Sequence, residues 1–317
     1  MIKNFKALIR REFWEHRGAF IKTPIIISIV LLVIAIIGYI IGLVFASKTG
    51  STEFVDKGIN ELHKLSETQL STFWDVQLIS TSTLFLFVLY IVLFFFILGS
   101  LFDDRKDGSI QFWKSLPISD SETVLSKLIT AMIFVPLVFT AIFVLYSIAN
   151  LVLTSILLLF HGQNPWSLVW VPANIGKITL IMLMGALTQM LWALPIYGWL
   201  MFSSSWSKRR PFLFAIFIPL LVAVAWYFLN VVTRMNFVQV DMFKWPAKYF
   251  MFAALPYGSS VSNGVHHISL GDNGMSLNDI ASNLKASIMH VEIIYGIIFA
   301  AVFIALSIWV RRYRNTT

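Results

Sequence analysis

Cysteine is absent from the 317-residue chain, and charged residues make up only 13% of it. The lack of cysteine excludes disulfides, thiol catalysis and metal sites or clusters built on cysteine. Charged residues supply about a quarter of a soluble domain, so a soluble globular protein is excluded. A content of 58% apolar residues also excludes a disordered chain. The class that remains is a polytopic membrane protein.

Signatures of several enzyme classes are also missing. Gly176-Lys177 is the only Gly-Lys pair, and Val171 stands where a Walker A motif needs its first glycine. HExxH and GxSxG do not occur, and the adjacent His266 and His267 cannot chelate a metal as an i, i+4 pair does. We therefore predict that the chain is not an enzyme and has no catalytic site, metal site or cofactor of its own.

The chain does contain six uncharged runs long enough to cross a bilayer, which requires about 20 apolar residues. The third run continues to Phe160, beyond the length of the bilayer core, so its helix either protrudes or breaks; a break is predicted at Asn150, and the ten residues after it are too few for a seventh span. The sequence thus predicts an all-α fold with six transmembrane helices in a single domain over residues 1–317. The predicted spans cover residues 24–45, 76–101, 128–150, 178–202, 211–232 and 293–310.

The distribution of basic residues predicts the orientation of these spans. An even number of spans places both termini on one side, and the segments of that side carry 16 Lys and Arg in 64 residues, against 8 in 107 on the other. By the positive-inside rule, both termini are cytoplasmic in a multi-pass cell-membrane protein. The net charge of +8 is thereby explained without nucleic-acid binding.

Two helical features are predicted outside the spans. Residues 1–23 have apolar and basic positions at helical spacing, which favours an amphipathic helix in the headgroup plane; packing on another subunit is the alternative. The extracytoplasmic loop 233–292 predicts short helices after Pro246 and after Ser276. Each could be re-entrant or interfacial, or simply packed in the loop.

Polar residues within the spans are few. The six runs contain no ionisable side chain, which argues against proton-coupled transport. Gly38 and Gly42 form a GxxxG pattern in the first span, which could pack two copies of the chain. Hydrogen bonding between helices, rather than substrate contact, is predicted for Gln77, Asn150, Gln189 and Asn230.

The cytoplasmic region 102–127 carries the most informative motif. Ser109 can cap a short helix that Pro117 must end, and Ser119 with Glu122 forms a capping box for the third span. The short helix would present Phe112 and Trp113 to a soluble partner. The alternative is that both aromatics anchor the chain at the membrane interface.

This arrangement resembles the permease subunits of ATP-binding-cassette (ABC) transporters of the type-2 exporter class. The resemblance covers the whole chain as topology, and region 104–127 is similar to the family's coupling-helix region. It implies that residues 105–113 insert into a cleft of the ATPase subunit and that residues 116–119 return to the membrane. The implied ATPase-coupling residues are Asp104, Arg105, Lys106, Gly108, Ser109, Phe112, Trp113, Leu116 and Pro117.

The resemblance implies an ATP-driven exporter, of the bacterial inner membrane, in which two permease copies line the pathway. Its partners would be ABC ATPase subunits, which carry the ATP and magnesium, a second permease copy and membrane lipid, with no nucleic acid. The residues leave two alternatives open. One is a scaffold or facilitator without ATP coupling, and the other is an intramembrane enzyme, which would need a buried polar catalytic pair that the sequence does not show.

Overall fold

The computed structural model describes residues 2–48, 64–108, 118–233, 244–257 and 276–313. These residues form ten α-helices, and π-helical turns at Gly18–Lys22, Thr130–Phe134 and Trp166–Trp170 extend or connect them. The helices are α1 (Ile2–Glu15), α2 (Thr23–Lys48), α3 (Glu67–Lys106), α4 (Asp120–Ile129), α5 (Val135–Phe160), α6 (Ile175–Trp206), α7 (Pro211–Thr233), α8 (Lys244–Ala254), α9 (Leu277–Ile288) and α10 (Val291–Tyr313).

Six helical segments are long and apolar enough to cross a membrane, which confirms the predicted all-α polytopic fold. Some helices exceed the bilayer core: the 40 residues of α3 correspond to about 60 Å at 1.5 Å per residue. Charged and polar ends of the spans therefore lie beyond the hydrocarbon. The six segments are Gly18–Val44, Glu67–Lys106, Asp120–Phe160, Trp166–Trp206, Pro211–Leu229 and Val291–Tyr313.

Of the two alternatives for the third run, the helix protrudes and does not break at Asn150. Helix α5 continues through this residue to Phe160, and the irregular turn of the third span lies earlier, at Thr130–Phe134. Beyond Asn150, Leu151 and Leu158 are buried in a cluster with Trp74 of α3. Packing against neighbouring protein segments therefore supports the helix where it is too long for the bilayer.

Helix α6 occupies the centre of the bundle, where it packs against α3, α5, α7, α8, α9 and α10. Its closest neighbour is α10: a Cβ atom added to Gly198 would lie 2.9 Å from Cα of Ala300. By contrast, α2 and α7 are peripheral, since only 6% and 11% of their span cores are buried within the chain. Both present wide apolar faces outward.

We call the end of the bundle that carries α1 and the C-terminal end of α10 the basal end, and the other the apical end. Helix α1 lies at the basal end and packs on α4. The chain itself covers part of its apolar face, because Leu8 is 4% exposed, whereas Phe5, Ile9 and Phe13 are half-buried. At the apical end, α8 packs on α6 and α3, and α9 packs on α6.

The sequence signals that start two of the helices act as predicted. The hydroxyl of Ser119 accepts from the backbone N–H of Glu122 at 3.1 Å, and the Glu122 carboxylate accepts from the Ser119 N–H at 3.0 Å. This reciprocal capping box begins α4. Ser276 caps α9, where its hydroxyl accepts from the N–H of Asn278 at 3.3 Å. Helix α8 begins at Lys244, two residues before Pro246.

Candidate functional site

Charged side chains from four helices meet inside the basal end. Lys127 of α4 lies at the centre, with its Nζ 2.9 Å from Oε2 of Glu12 and 3.5 Å from Oδ2 of Asp104. The three side chains are only 2%, 0% and 6% exposed, so their charges are removed from water. A buried charge persists only when opposite charges and hydrogen bonds compensate it. We call the following six residues the basal ionic cluster: Arg11, Glu12, Asp104, Asp120, Lys127 and Arg311.

Arg311, near the end of the last span, joins the two carboxylates that flank the loop between α3 and α4. Its Nη1 donates to Oδ2 of Asp104 at 3.2 Å, and its Nε donates to Oδ1 of Asp120 at 2.9 Å. A guanidinium holds its N–H groups in a rigid planar fork, which suits it to bridging two acceptors. The base of the loop is therefore closed by a side chain from α10.

Arg11 completes the charge balance of the cluster. Its Nη2 lies 3.5 Å from Oδ1 of Asp104 and 3.3 Å from Oε1 of Glu12. The cluster then contains three acidic and three basic side chains, all engaged with each other. Because Arg11 and Asp120 are 21% and 24% exposed while the other four are nearly inaccessible, the cluster has a buried centre and a partly wetted rim.

Of the first three predicted coupling residues, two bind other parts of this chain and one is exposed to solvent. Asp104 belongs to the cluster, and the Arg105 guanidinium donates to the backbone carbonyls of Ser204 and, at 2.9 Å, Ser207 at the C-terminal end of α6. Both side chains therefore make their contacts within this chain. The segment predicted to insert into the ATPase partner would then begin after Arg105. Lys106 is exposed.

Gly108 ends α3 in the way that its residue type favours. Its φ is +70°, and its N–H donates to the carbonyl of Arg105 at 3.2 Å. This left-handed conformation is the usual helix stop at a glycine. The other predicted coupling residues, Ser109, Phe112, Trp113, Leu116 and Pro117, lie outside the described residues, so their roles remain predictions.

One group of potential metal ligands occurs among the described residues. Glu12, Glu15 and His16 each offer one ligand atom, and these atoms lie within 4.8 Å of one another. However, Glu12 is paired with Lys127 and Glu15 with Arg11. The two carboxylates therefore already have cationic partners, and the arrangement is explained by the ionic cluster.

A buried amide joins α6 to α3 and α8. Gln189 of α6 is fully buried and donates through its Nε2 to the carbonyls of Leu86 in α3 at 2.7 Å and Ala253 in α8 at 2.8 Å. The predicted role of Gln189 in joining helices is confirmed. Nearby, burial and the charge of Glu292 raise the pKa of Tyr249 to about 12. The Tyr249 hydroxyl consequently stays protonated and donates to the carbonyl of Glu292 at 2.6 Å.

Replacing Gln189 with leucine should destabilise the protein by about 1–3 kcal/mol, because it removes two hydrogen bonds in a site that water does not reach. The loss of these two hydrogen bonds should also make α8 more susceptible to limited proteolysis, because the amide joins α8 to α6. Thr179→Val is the matched control, since it removes a hydroxyl that bonds to the Ile175 carbonyl of its own helix. Equal stability and equal cleavage of the two variants would contradict this role of Gln189.

The sequence analysis did not predict the basal ionic cluster, because all six of its residues lie outside the uncharged runs. A signal was nevertheless present. Glu12 follows Leu8 by four residues and interrupts the apolar face of α1. Lys127 likewise falls among Val124, Leu128 and Ala131 on the buried side of the third span. An ionisable residue on an apolar helix face is expected to have a buried partner.

Comparisons with models of protein families, with curated proteins and with solved structures found no match to this chain.

Proposed function

We propose that this chain is the membrane-spanning permease subunit of an ATP-driven transporter, coupled to separate ATPase subunits through the loop between α3 and α4. One observation carries the proposal. Arg311 bridges Asp104 and Asp120, the carboxylates on either side of that loop, from the end of the last span. A loop that only connects two spans does not need its base buried in an ionic cluster.

The bridge would transmit movement of the loop to the spans. A partner that pushes on the loop displaces the ends of α3 and α4, and Arg311 passes this displacement to α10. Lys127 passes it to α1 through Glu12. A rigid cluster that moves as a unit can switch helices between two packings, which is the change that inward-open and outward-open states require.

The outward face of α2 supports association with a second copy. A Cβ atom added to Gly38 or to Gly42 would meet nothing within 4 Å, so the GxxxG surface has no neighbour among the described residues. Two copies meeting through α2 could approach closely there and form a pathway between them. The positive-inside count supports a cytoplasmic basal end, where ATPase subunits with their ATP and magnesium would meet the loop. Export and the bacterial inner membrane follow from the family resemblance.

The direct test is affinity purification of the tagged chain from its native host in mild detergent, followed by mass spectrometry and an ATPase assay. We expect an ATPase subunit to co-purify in equal amount with the wild-type chain. The double variant Phe112→Ala, Trp113→Ala should lose that subunit and the ATPase activity while inserting normally into the membrane. Loss of the aromatic side chains removes the groups expected to fill the cleft of the partner.

The matched control is Phe160→Ala with Trp166→Ala, which truncates exposed aromatics at the apical end, 79% and 67% exposed. This variant should retain the ATPase subunit. If the wild-type chain elutes alone and inactive under conditions that preserve other transporter complexes, the alternative of a scaffold or facilitator takes precedence. Equal retention by the loop variant and the control would exclude docking through Phe112 and Trp113.

A further inference from the structure

A cavity of about 320 Å³ lies between α6, α7, α8 and α10. We call it the lateral cavity. It is bordered by residues near the middle of three spans, such as Pro195, Pro219 and Phe299, and by Trp245 and Tyr249 of α8 on the apical side. Its volume falls within the range of about 300–1,000 Å³ that is typical of small-molecule sites.

Prolines and a glycine help to explain why the helices leave this space. Pro195 of α6 and Pro219 of α7 are both within helices, where proline removes a backbone hydrogen bond and favours a bend. Gly198 draws α10 against α6, whereas α7 packs mainly on the far side, against α6 and α3. The space between α7 and the pair formed by α8 and α10 is consequently not filled by side chains.

One wall of the cavity is a continuous series of aromatic rings. The ring centroids of Tyr249 and Trp245 are 4.6 Å apart, those of Trp245 and Phe299 are 5.4 Å apart, and those of Phe299 and Phe303 are 4.6 Å apart. Trp199 extends the series, with its ring 5.2 Å from that of Phe303. Rings in mutual contact lose little freedom when a ligand binds, so this wall is preorganised.

The chemistry of the lining selects an apolar ligand. None of its side chains, all of which belong to the described residues, is charged. The Tyr249 hydroxyl already donates to the Glu292 carbonyl, and the Trp199 indole N–H donates to the Ala215 carbonyl at 2.8 Å. Because a bound water needs two to four polar partners, this lining favours an apolar occupant over water.

We propose that the lateral cavity binds a single hydrocarbon chain of a membrane lipid. The cavity lies at the depth of the bilayer core beside a peripheral helix, so lipid chains are the apolar molecules that surround it. A methylene group of a lipid makes more dispersion contacts against the rigid aromatic wall than among the mobile acyl chains of the bilayer. The inference does not depend on ATP coupling and holds equally for a scaffold or a transporter.

The test uses the full-length protein in nanodiscs containing a phospholipid with a photoreactive diazirine on one acyl chain. Mass spectrometry then locates the labelled peptides, and labelling of the 299–303 segment is expected. Val222→Trp should reduce labelling there about tenfold, because the indole occupies the cavity; tenfold corresponds to about 1.4 kcal/mol of binding. Val224→Trp should leave labelling unchanged, since Val224 is similarly exposed, 50% against 55%, but does not line the cavity.

Folding of each variant is checked by its unfolding midpoint, and Ile218→Trp with Leu220→Trp provides a second pair on the same two faces of α7. Labelling that is equal in the cavity-filling and control variants would overturn the proposal. Labelling of the segment by a diazirine fatty acid but not by the phospholipid would overturn it as well, because the occupant would then be a free acid rather than a lipid chain.

Discussion

Replacing Lys127 with methionine should destabilise the folded protein by about 3–5 kcal/mol, the cost typical of leaving a buried charge without its partner. The methionine fits the space of the lysine chain but leaves the fully buried Glu12 carboxylate without the ammonium 2.9 Å away, so that the partly exposed Arg11, 3.3 Å from it, is the cation that remains. Asp104 would be affected less, because Arg311 and Arg11 also contact it. The measurement is the free energy of unfolding, or the shift in the thermal midpoint, of the purified protein in mild detergent.

Two further variants distinguish the effect of burying an ion pair from the effect of losing any ion pair. Lys248→Met breaks the pair with Glu292 at the apical end, whose side chains are 35% and 29% exposed, and should cost less than about 1 kcal/mol. Adding Glu12→Gln to Lys127→Met should recover part of the stability, since the buried carboxylate is neutralised. If Lys127→Met were no more destabilising than Lys248→Met, the basal ionic cluster would not be the buried structure described above.

Replacing Gly198 with valine should also destabilise the protein, by about 1–3 kcal/mol or more, because overpacked cores must shift backbone to relieve the contact. The added Cβ would lie 2.9 Å from Cα and 3.0 Å from the carbonyl oxygen of Ala300, so the obstacle is backbone that no rotamer change can move. The α6 and α10 helices would have to separate. Thermal or SDS unfolding in detergent would measure the loss.

Gly42→Val is the matched control, because a Cβ at Gly42 meets no atom of the described segments within 4 Å. It should change the stability of the monomer by no more than about 0.5 kcal/mol, as is usual for surface positions. The same variant tests the proposed association of two copies through Gly38 and Gly42, which should weaken when the close approach is blocked. Similar destabilisation by Gly198→Val and Gly42→Val would contradict the assigned packing of α6 on α10.

Two basal features fix the ends of the loop between α3 and α4 and connect them to the last span. The loop leaves α3 at the glycine stop formed by Gly108 and returns at the capping box of Ser119, so both of its ends are sharply defined. Arg311 then connects Asp104 and Asp120 across its base. A movement of the loop is therefore expected to move the ends of α3, α4 and α10 as well.

The spans were predictable because a bilayer imposes a length and a composition on each helix that can be counted in the sequence. The capping boxes were equally local, since the Ser119 hydroxyl and the Glu122 carboxylate act within one turn. The third helix protrudes instead of breaking at Asn150, because beyond the bilayer core it packs on protein. Trp74, from a distant part of the chain, supplies part of that packing.

The sequence by itself determined the membrane class, the six spans, the starts of α4 and α9 and the basic bias that predicts orientation, because these depend on composition and on neighbours within a few residues. Only the tertiary structure decided the partners of Lys127 and Arg311, the close approach of α6 and α10 at Gly198, and the lateral cavity. The hydrogen bonds of Lys127 and Arg311 join residues 115, 191 and 207 positions apart. Such pairings depend on how whole helices pack, and no local pattern specifies them.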